Sequence, residues 1–248
     1  MSMPKVFHNG INKQGLLIYG GESSEDYGMV VSEAPAFDRP VRKFESVSVP
    51  GRNGAILFQQ DAYEDTVRTY RVWLTPNIKD LYETVNWFMS WLDSKTGYQR
   101  LEDSFEPEIF RLAYFSGGTE FSNRMIQCGE ADLQFTCRPE RFFKTGEIEK
   151  TVSNGTKMWN PTRFSSKPLI HIEGSGAISV SIGGKTITAT VTDYVNIDCE
   201  TMNAYRLPVE NMNGNISGEF PNILPGENTI GITGAPTKVT MVPRYYTI

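Results

Sequence analysis

Residues 47–57 read VSVPGRNGAIL, and this stretch decides the fold of the first half of the chain. Apolar residues alternate with small or polar ones on both sides of a Pro-Gly and Asn-Gly corner. Pro50 fixes its own φ, and Gly51 and Gly54 adopt positive φ without strain. The stretch therefore predicts a β-hairpin, with a primed turn at Asn53-Gly54.

Short strand patterns separated by turn residues extend through most of the first half. Residues 66–74 (TVRTYRVWL) are rich in β-branched and aromatic side chains, and residues 131–137 alternate between apolar and polar. One segment differs, because apolar residues from Ile78 to Leu92 recur at three- and four-residue steps. That spacing predicts a single amphipathic helix, which ends before Gly97.

The composition changes beyond Gly146, where Gly, Thr, Ser, Asn and Ile become frequent and no helical stripe remains. Strands are predicted at 169–172, 177–182, 186–191, 195–198, 229–232 and 239–242, with a hairpin turn at Gly183-Gly184. Many short strands with regular turns are typical of a sandwich or barrel. We therefore expect a mainly β protein in two domains. Residues 1–145 form an α+β, sandwich- or barrel-like domain with one helix, and residues 146–248 form an all-β sandwich.

Composition and charge exclude several classes of protein. Of the 248 residues, 39% are hydrophobic and 21% are charged, which is enough for a packed core and too apolar for global disorder. The formal net charge is -5, and the Lys and Arg residues are scattered. Nucleic-acid binding needs clustered positive charge, so it is disfavoured as the main task.

The sequence predicts no membrane segment and no leader. No apolar run approaches the roughly 20 residues that span a bilayer. The first residues, MSMPK, lack the apolar stretch of a signal peptide. We therefore expect the protein to stay in the compartment where it is made.

Catalytic and cofactor-binding patterns are not found in the sequence. The two histidines, His8 and His171, fit no metal-ligand or triad spacing, and no phosphate-binding loop occurs. Carboxylates cluster at 102–108 (EDSFEPE), which we interpret as a solvated or interface loop rather than a glycosidase pair. The three cysteines fit no zinc pattern, and Cys137 is predicted to be a buried, unpaired residue. We expect no enzyme activity, no cofactor and no metal.

The order of several short motifs resembles one protein family, the distal tail proteins of phages with long, non-contractile tails. In the first half the matching stretches are 24–31 (SEDYGMVV), 47–57 and 129–142 (GEADLQFTCRPERF). In the second half they are 160–162 (NPT), 166–170 (SKPLI) and 220–228 (FPNILPGEN). These motifs form turns and strands, and none of them is catalytic.

This resemblance implies a homohexameric ring of N-terminal domains around a central channel, with galectin-like C-terminal sandwiches outside. The implied partners are other copies of the chain, the tail tube protein and the tail-tip hub protein, and DNA meets the ring only in transit. Such proteins are made in the host bacterial cytoplasm and end in the virion. In some members the periphery carries receptor-binding proteins on an inserted arm. The short stretch between Asp198 and Thr229 argues against such an arm here.

The extended stretch before the hairpin is a predicted subunit contact, because an unpaired extended segment often pairs with a neighbouring chain. The resemblance further implies that the hairpin faces a neighbouring subunit or the channel. The predicted subunit-interface or channel residues are Phe37, Asp38, Arg39, Pro50, Gly51, Arg52, Asn53 and Gly54. The acidic balance predicts a neutral or acidic channel. Two alternatives remain open. One is a carbohydrate-binding module that uses Trp159 or Tyr205, and the other is a wall-degrading enzyme that uses Glu106.

Overall fold

The computed structural model describes residues 15–74, 81–117, 130–207 and 210–248. Its contacts divide the chain into two compact units, Met1–Arg141 with Ile248, and Phe142–Thr247. The division into functional domains at 145/146 stays a prediction. His8, Cys128 and the residues expected to start the helix, 75–80, lie outside the described residues.

One curled sheet forms the body of the first unit. The strands are β1 Leu17–Tyr19, β2 Glu22–Ser23, β3 Met29–Val31, β4 Arg42–Val47, β5 Ile56–Tyr63, β6 Thr66–Leu74, β7 Gln99–Asp103, β8 Ile109–Phe115 and β9 Glu130–Phe143. Their order in the curled sheet is β2-β1-β7-β8-β9-β6-β3, and a separate two-stranded sheet pairs β4 with β5. The last two residues of β9 already belong to the second unit.

One α-helix lies within the described ranges, α1 Leu81–Ser94, and it packs on the curled sheet through a shared apolar core. Phe88, Trp91 and Leu92 are buried in the core of this unit, as the apolar spacing predicts. The Trp91 ring stacks on Tyr27 with centroids 4.7 Å apart. Gly97 follows the helix with φ +69°, a conformation that favours glycine.

The second unit is a sandwich of two sheets that share one apolar core. The strands are β10 Lys150–Thr151, β11 Lys157–Asn160, β12 Leu169–Gly174, β13 Gly176–Ile182, β14 Lys185–Val191, β15 Tyr194–Asp198, β16 Asn203–Arg206, β17 Glu210–Asn211, β18 Ile216–Gly218, β19 Gly226–Thr229, β20 Gly231–Thr233, β21 Pro236–Val242 and β22 Tyr246–Thr247. The two sheets have the orders β10-β21-β12-β15-β16-β17 and β18-β14-β13-β20. In addition, β11 pairs with β19, and β22 pairs with β9.

The mainly β fold with one helix is confirmed, and so is the hairpin turn at Gly183-Gly184, where both residues have positive φ. The prediction of one strand over 229–232 is wrong. The chain breaks at the buried Ile230, whose N–H donates to the Thr156 carbonyl at 2.9 Å. This break lets β19 pair with β11 and β20 pair with β13. The galectin-like subclass stays a prediction.

Gly146 is expected to tolerate no side chain. A Cβ there would lie 2.4 Å from the Tyr245 backbone nitrogen, a contact that requires the backbone to move. Gly146→Ala should therefore destabilise the protein by roughly 1–3 kcal/mol, the usual cost of overpacking. Gly214→Ala is the matched control, because a Cβ there meets nothing within 4 Å. Urea unfolding of both variants measures the difference, and equal midpoints would contradict the prediction.

Cys137 and Cys199 are free, buried thiols. Burial raises the pKa of Cys137 to about 11 and that of Cys199 to about 12. At pH 9 an ordinary thiol is half ionised, whereas the native thiolate fraction of Cys137 falls to roughly 1%. In a Cys128→Ser background, both thiols should react with a chromogenic disulfide only after urea is added. A thiol that reacts in the native protein as fast as in urea would refute this prediction.

Candidate assembly surface

The paired strands β4 and β5 form an arm whose side chains lie almost entirely in solvent. Cross-strand partners are Val47 with Ile56, Glu45 with Phe58, Ser46 with Leu57 and Phe44 with Gln59. Because side chains alternate between faces along a strand, Phe44 and Leu57 share one face while Val47, Ile56 and Phe58 share the other. Both faces of the arm therefore carry apolar side chains.

The exposure of these side chains is high for a soluble domain. Phe44 is 59% exposed, Leu57 is 61% exposed and Phe58 is 54% exposed. A two-stranded hairpin by itself is marginally stable in water, and several large apolar side chains exposed on one short element are typical of an interaction site. The arm therefore has the composition of a surface that is covered in an assembly.

The hairpin is confirmed, but the turn at its tip lies at other residues than predicted. The Arg52 N–H donates to the Val49 carbonyl at 3.2 Å, and Gly51 has φ +79°. Pro50 and Gly51 are therefore the central residues of a turn that needs positive φ at its third position. The primed turn at Asn53-Gly54 is wrong, because Gly54 has positive φ (+81°) and Asn53 does not. Eight residues, 48–55, connect the strands instead of two.

The stretch before the arm has no regular secondary structure, as its prolines predict. Phe37 is 75% exposed, and the Arg141 guanidinium lies 5.6 Å from its ring centroid. Asp38 and Arg39 are exposed, and Asp38 lines a cleft together with Arg141. No hydrogen bond or ion pair of the described residues joins 37–39 to the tip residues 50–54. The two groups of predicted interface residues are therefore separate features.

The root of the arm is held by contacts that the sequence did not reveal. The Arg42 guanidinium donates to the Tyr63 hydroxyl at 2.9 Å and lies over the Tyr63 ring. The Glu64 N–H donates to the Val41 carbonyl at 2.9 Å. These contacts close the hairpin at its base.

In the interpretation of 102–108 as a solvated or interface loop, solvation is wrong for three of the four carboxylates, since the Glu102 side chain is only 13% exposed. Asp103 is 2% exposed, and the Glu106 side chain is 17% exposed. Asp103 accepts hydrogen bonds from the Tyr70 hydroxyl at 2.7 Å, from Arg68 Nη2 at 3.2 Å and from the backbone N–H groups of Phe105 and Glu106. These four donors explain how a carboxylate is buried here.

Glu106 is bound by three arginines from different strands. Arg68 Nη2 lies 3.0 Å from one carboxylate oxygen, which also accepts a hydrogen bond from Arg111. Arg141 Nη1 lies 3.5 Å from the other oxygen. The sequence analysis missed this arginine cluster. Arg68 lies on the same strand face as the buried Tyr70, and Arg111 on the same face as the buried Ala113, but the local sequence pattern does not mark these faces as buried.

Trp159 and Tyr205, the predicted sugar contacts, differ in exposure. Trp159 is 66% exposed on β11 and lies close to Gly226, whereas Tyr205 is half-buried. The described residues contain no group of His, Cys, Asp and Glu that could hold a metal ion. None of the described helices is long and apolar enough to cross a membrane.

Among solved structures, the chain resembles the crystal structure of the Dit protein (gp 19.1) of phage SPP1, described as a paradigm of the hub adsorption apparatus in phages that infect Gram-positive bacteria. The TM-score is 0.74, and the likeness covers 95% of this chain and 100% of that one. The chain has the Dit fold. Sequence identity is 14%, so the likeness is one of fold, and the function has to be argued from the surface.

A second similar structure is the baseplate of phage P2 in its activated conformation with Ca. Its TM-score is 0.44 at 9% identity, and the match covers 86% of this chain and 89% of that one. No protein-family model matches the sequence, and a search of curated proteins gives no match either.

Proposed function

We propose that this chain is a non-catalytic virion protein that forms a hexameric ring at the distal end of a long, non-contractile phage tail. The ring joins the tail tube protein to the tail-tip hub protein and the host-adhesion apparatus, and DNA passes through its channel. The chain is made and assembled in the host bacterial cytoplasm. The shared Dit fold supports a place in a phage tail. The exposed apolar arm is the observation that supports assembly into a ring.

The arm favours self-assembly because its unpaired strand edges can form hydrogen bonds with another chain and its exposed apolar side chains can be buried by that chain. Strands β4 and β5 pair only with each other among the described strands, so each has a second edge with free backbone groups. Apolar side chains lie on both faces of the arm. A neighbouring copy can extend the edges and cover the faces in one contact, and repeated head-to-tail contacts of this kind close a ring.

Light scattering coupled to size exclusion, with negative-stain imaging, tests the ring. We expect six-fold particles with a mass six times the chain mass of 27.9 kDa. A monomer at micromolar concentration would overturn the proposal.

A carbohydrate-binding module is the second candidate, and the exposed Trp159 is the observation that favours it. A flat aromatic ring at this exposure offers a surface for the apolar face of a sugar. Binding to wall polysaccharide on a glycan array, lost in Trp159→Ala and kept in Leu207→Ala, would support it. Leu207 is a suitable control because it is 64% exposed in the same unit.

A further inference from the structure

The sequence contains four Asn-Gly pairs, which begin at Asn9, Asn53, Asn154 and Asn213. Asparagine deamidates most readily before glycine, because glycine has no Cβ to hinder the attack of its backbone nitrogen on the asparagine side chain. Asn9 lies outside the described residues. The other three pairs are exposed, so access to water does not distinguish them. They differ in the hydrogen bonds that hold them.

The pair Asn154-Gly155 is held at both of its reacting groups. Asn154 Oδ1 accepts a hydrogen bond from the Ile232 N–H at 3.0 Å, and the Gly155 N–H donates to the Ile230 carbonyl at 2.8 Å. Deamidation requires the Asn154 side chain to turn until its Cγ atom meets the Gly155 nitrogen. Both hydrogen bonds oppose this movement, since they have to break before the ring can close.

The pair Asn213-Gly214 is held through the side-chain amide. Asn213 Oδ1 accepts a hydrogen bond from the Ala204 N–H at 2.6 Å, and Asn213 Nδ2 donates to Asn203 Oδ1 at 3.1 Å. The backbone of Asn213–Asn215 forms a 3₁₀ turn. The oxygen and the nitrogen of this amide are therefore both bound, which restrains the side chain in the same way.

The pair Asn53-Gly54, at the tip of the arm, has neither restraint. The Asn53 side chain and the Gly54 N–H form no hydrogen bond with a described residue. The turn hydrogen bond of the tip ends at Arg52, one residue before the pair. Apart from the chain neighbours of Gly54, no atom lies within 4 Å of the position that a Cβ there would occupy. The Asn53 side chain is therefore free to approach the Gly54 nitrogen.

We propose that Asn53 is a site of spontaneous deamidation, which reacts in the folded chain while Asn154 and Asn213 are protected. The Gly54 nitrogen gives its proton to solvent and attacks Asn53 Cγ, and the new N–C bond closes a cyclic succinimide. The Cγ–Nδ2 bond breaks, and the leaving nitrogen takes up a proton and departs as ammonia. One water molecule then opens the succinimide to aspartate or isoaspartate. The net reaction consumes water and releases ammonia, without oxidation or reduction.

Either product changes the tip of the arm. Arg52 is the only charged residue of the connection 48–55, so a carboxylate at position 53 brings the formal charge of this connection from +1 to zero. Isoaspartate also carries its side-chain carbon in the main chain, which lengthens the connection between β4 and β5. The modified residue is one of those predicted to meet a neighbouring subunit or the channel. The reaction itself does not depend on the ring, because its only co-reactant is water.

Peptide mapping by mass spectrometry measures deamidation at each pair of the full chain in mildly alkaline buffer. The deciding protein is Phe44→Ser with Leu57→Ser, in which the proposed subunit contact does not cover the tip. We expect its Asn53 to react roughly tenfold faster than the asparagines of the other two pairs, because hydrogen bonds have to break there. In urea the three rates should converge, since each pair is then the same dipeptide in an unfolded chain. Similar native rates at the three pairs would overturn the proposal, whatever the variant does to assembly.

Two further proteins separate the causes. Asn203→Ala removes one hydrogen bond from Asn213, so the Asn213 rate should rise about 2–10-fold. An unchanged Asn213 rate would refute hydrogen bonding as the cause of the selectivity. Wild type reports on the ring alone. Slower deamidation of Asn53 than in the arm variant indicates that a neighbouring copy covers the tip, and an equal rate counts against a subunit contact there.

Discussion

Glu106→Gln is expected to destabilise the first unit by about 3–5 kcal/mol, the range found when one partner of a buried ion pair is removed. Glu106 contacts Arg68, Arg111 and Arg141, and the first two side chains are less than a tenth exposed. Glutamine keeps the size of the side chain but removes the charge, which takes from Arg111 and Arg141 the carboxylate that each contacts and leaves Arg68 with Asp103. Desolvated, uncompensated cations are the cause of the loss.

Urea unfolding followed by tryptophan fluorescence measures this effect in a Trp159→Phe background. The remaining tryptophans, Trp73, Trp87 and Trp91, all lie in the first unit, so the signal reports that unit. Glu33→Gln is the matched control, because Glu33 and its partner Arg71 are 62% and 46% exposed. An exposed pair contributes about 0–1 kcal/mol. Similar losses in the two variants would show that the Glu106 cluster is not a stabilising network.

A double-mutant cycle with Arg111→Gln sharpens the result. If Glu106 and Arg111 stabilise each other, the second substitution should cost much less after the first, with a coupling of about 1–3 kcal/mol. Additive losses would mean that each side chain acts through packing alone. The cycle thus separates the ionic contribution from the contribution of side-chain volume.

The sequence predicted the elements whose pattern is local. The alternation of Ile178, Val180 and Ile182 and the glycines at 183–184 specify a hairpin without reference to the rest of the chain. The apolar spacing of α1 likewise predicts a helix with one buried face. In both cases the residues that specify the element are only a few positions apart in the sequence.

Features that depend on distant partners were missed. Val67 and Trp73 are 52% and 53% exposed on β6, while Arg68 on the same strand is 6% exposed. A prediction that the apolar Val67 and Trp73 mark the buried face of this strand would therefore be wrong. The correct face depends on Asp103 and Glu106, which lie 35 and 38 residues further along the chain. Local periodicity contains no information about that pairing.

The arm illustrates a third case, because a hairpin was predicted there with the wrong turn, and the role of its exposed faces depends on what lies outside one chain. Hydrophobic alternation normally distinguishes a buried face from a solvent face. In β4 and β5 both faces carry exposed apolar residues, so burial within this unit explains neither. A second copy resolves this conflict, and a variant of the arm tests that explanation directly.

The double variant Phe44→Ser with Leu57→Ser is expected to abolish the ring while leaving the fold intact. These residues share one face of the arm and are 59% and 61% exposed, so their loss should change unfolding by no more than about 0.5 kcal/mol. At an interface, each buried apolar anchor contributes about 2 kcal/mol or more. Two anchors together weaken each subunit contact roughly 1,000-fold, and the loss repeats around the ring.

Light scattering should therefore change from six chain masses for the wild type to one for the variant, at an unchanged urea midpoint. The control is Ile148→Ser with Leu207→Ser, which removes two apolar side chains that are 58% and 64% exposed in the second unit. The control should keep the full mass, because the proposed contact between subunits is formed by the arm and not by exposed apolar side chains elsewhere. If the arm variant keeps its mass, or the control loses as much, the arm is not the contact that builds the ring.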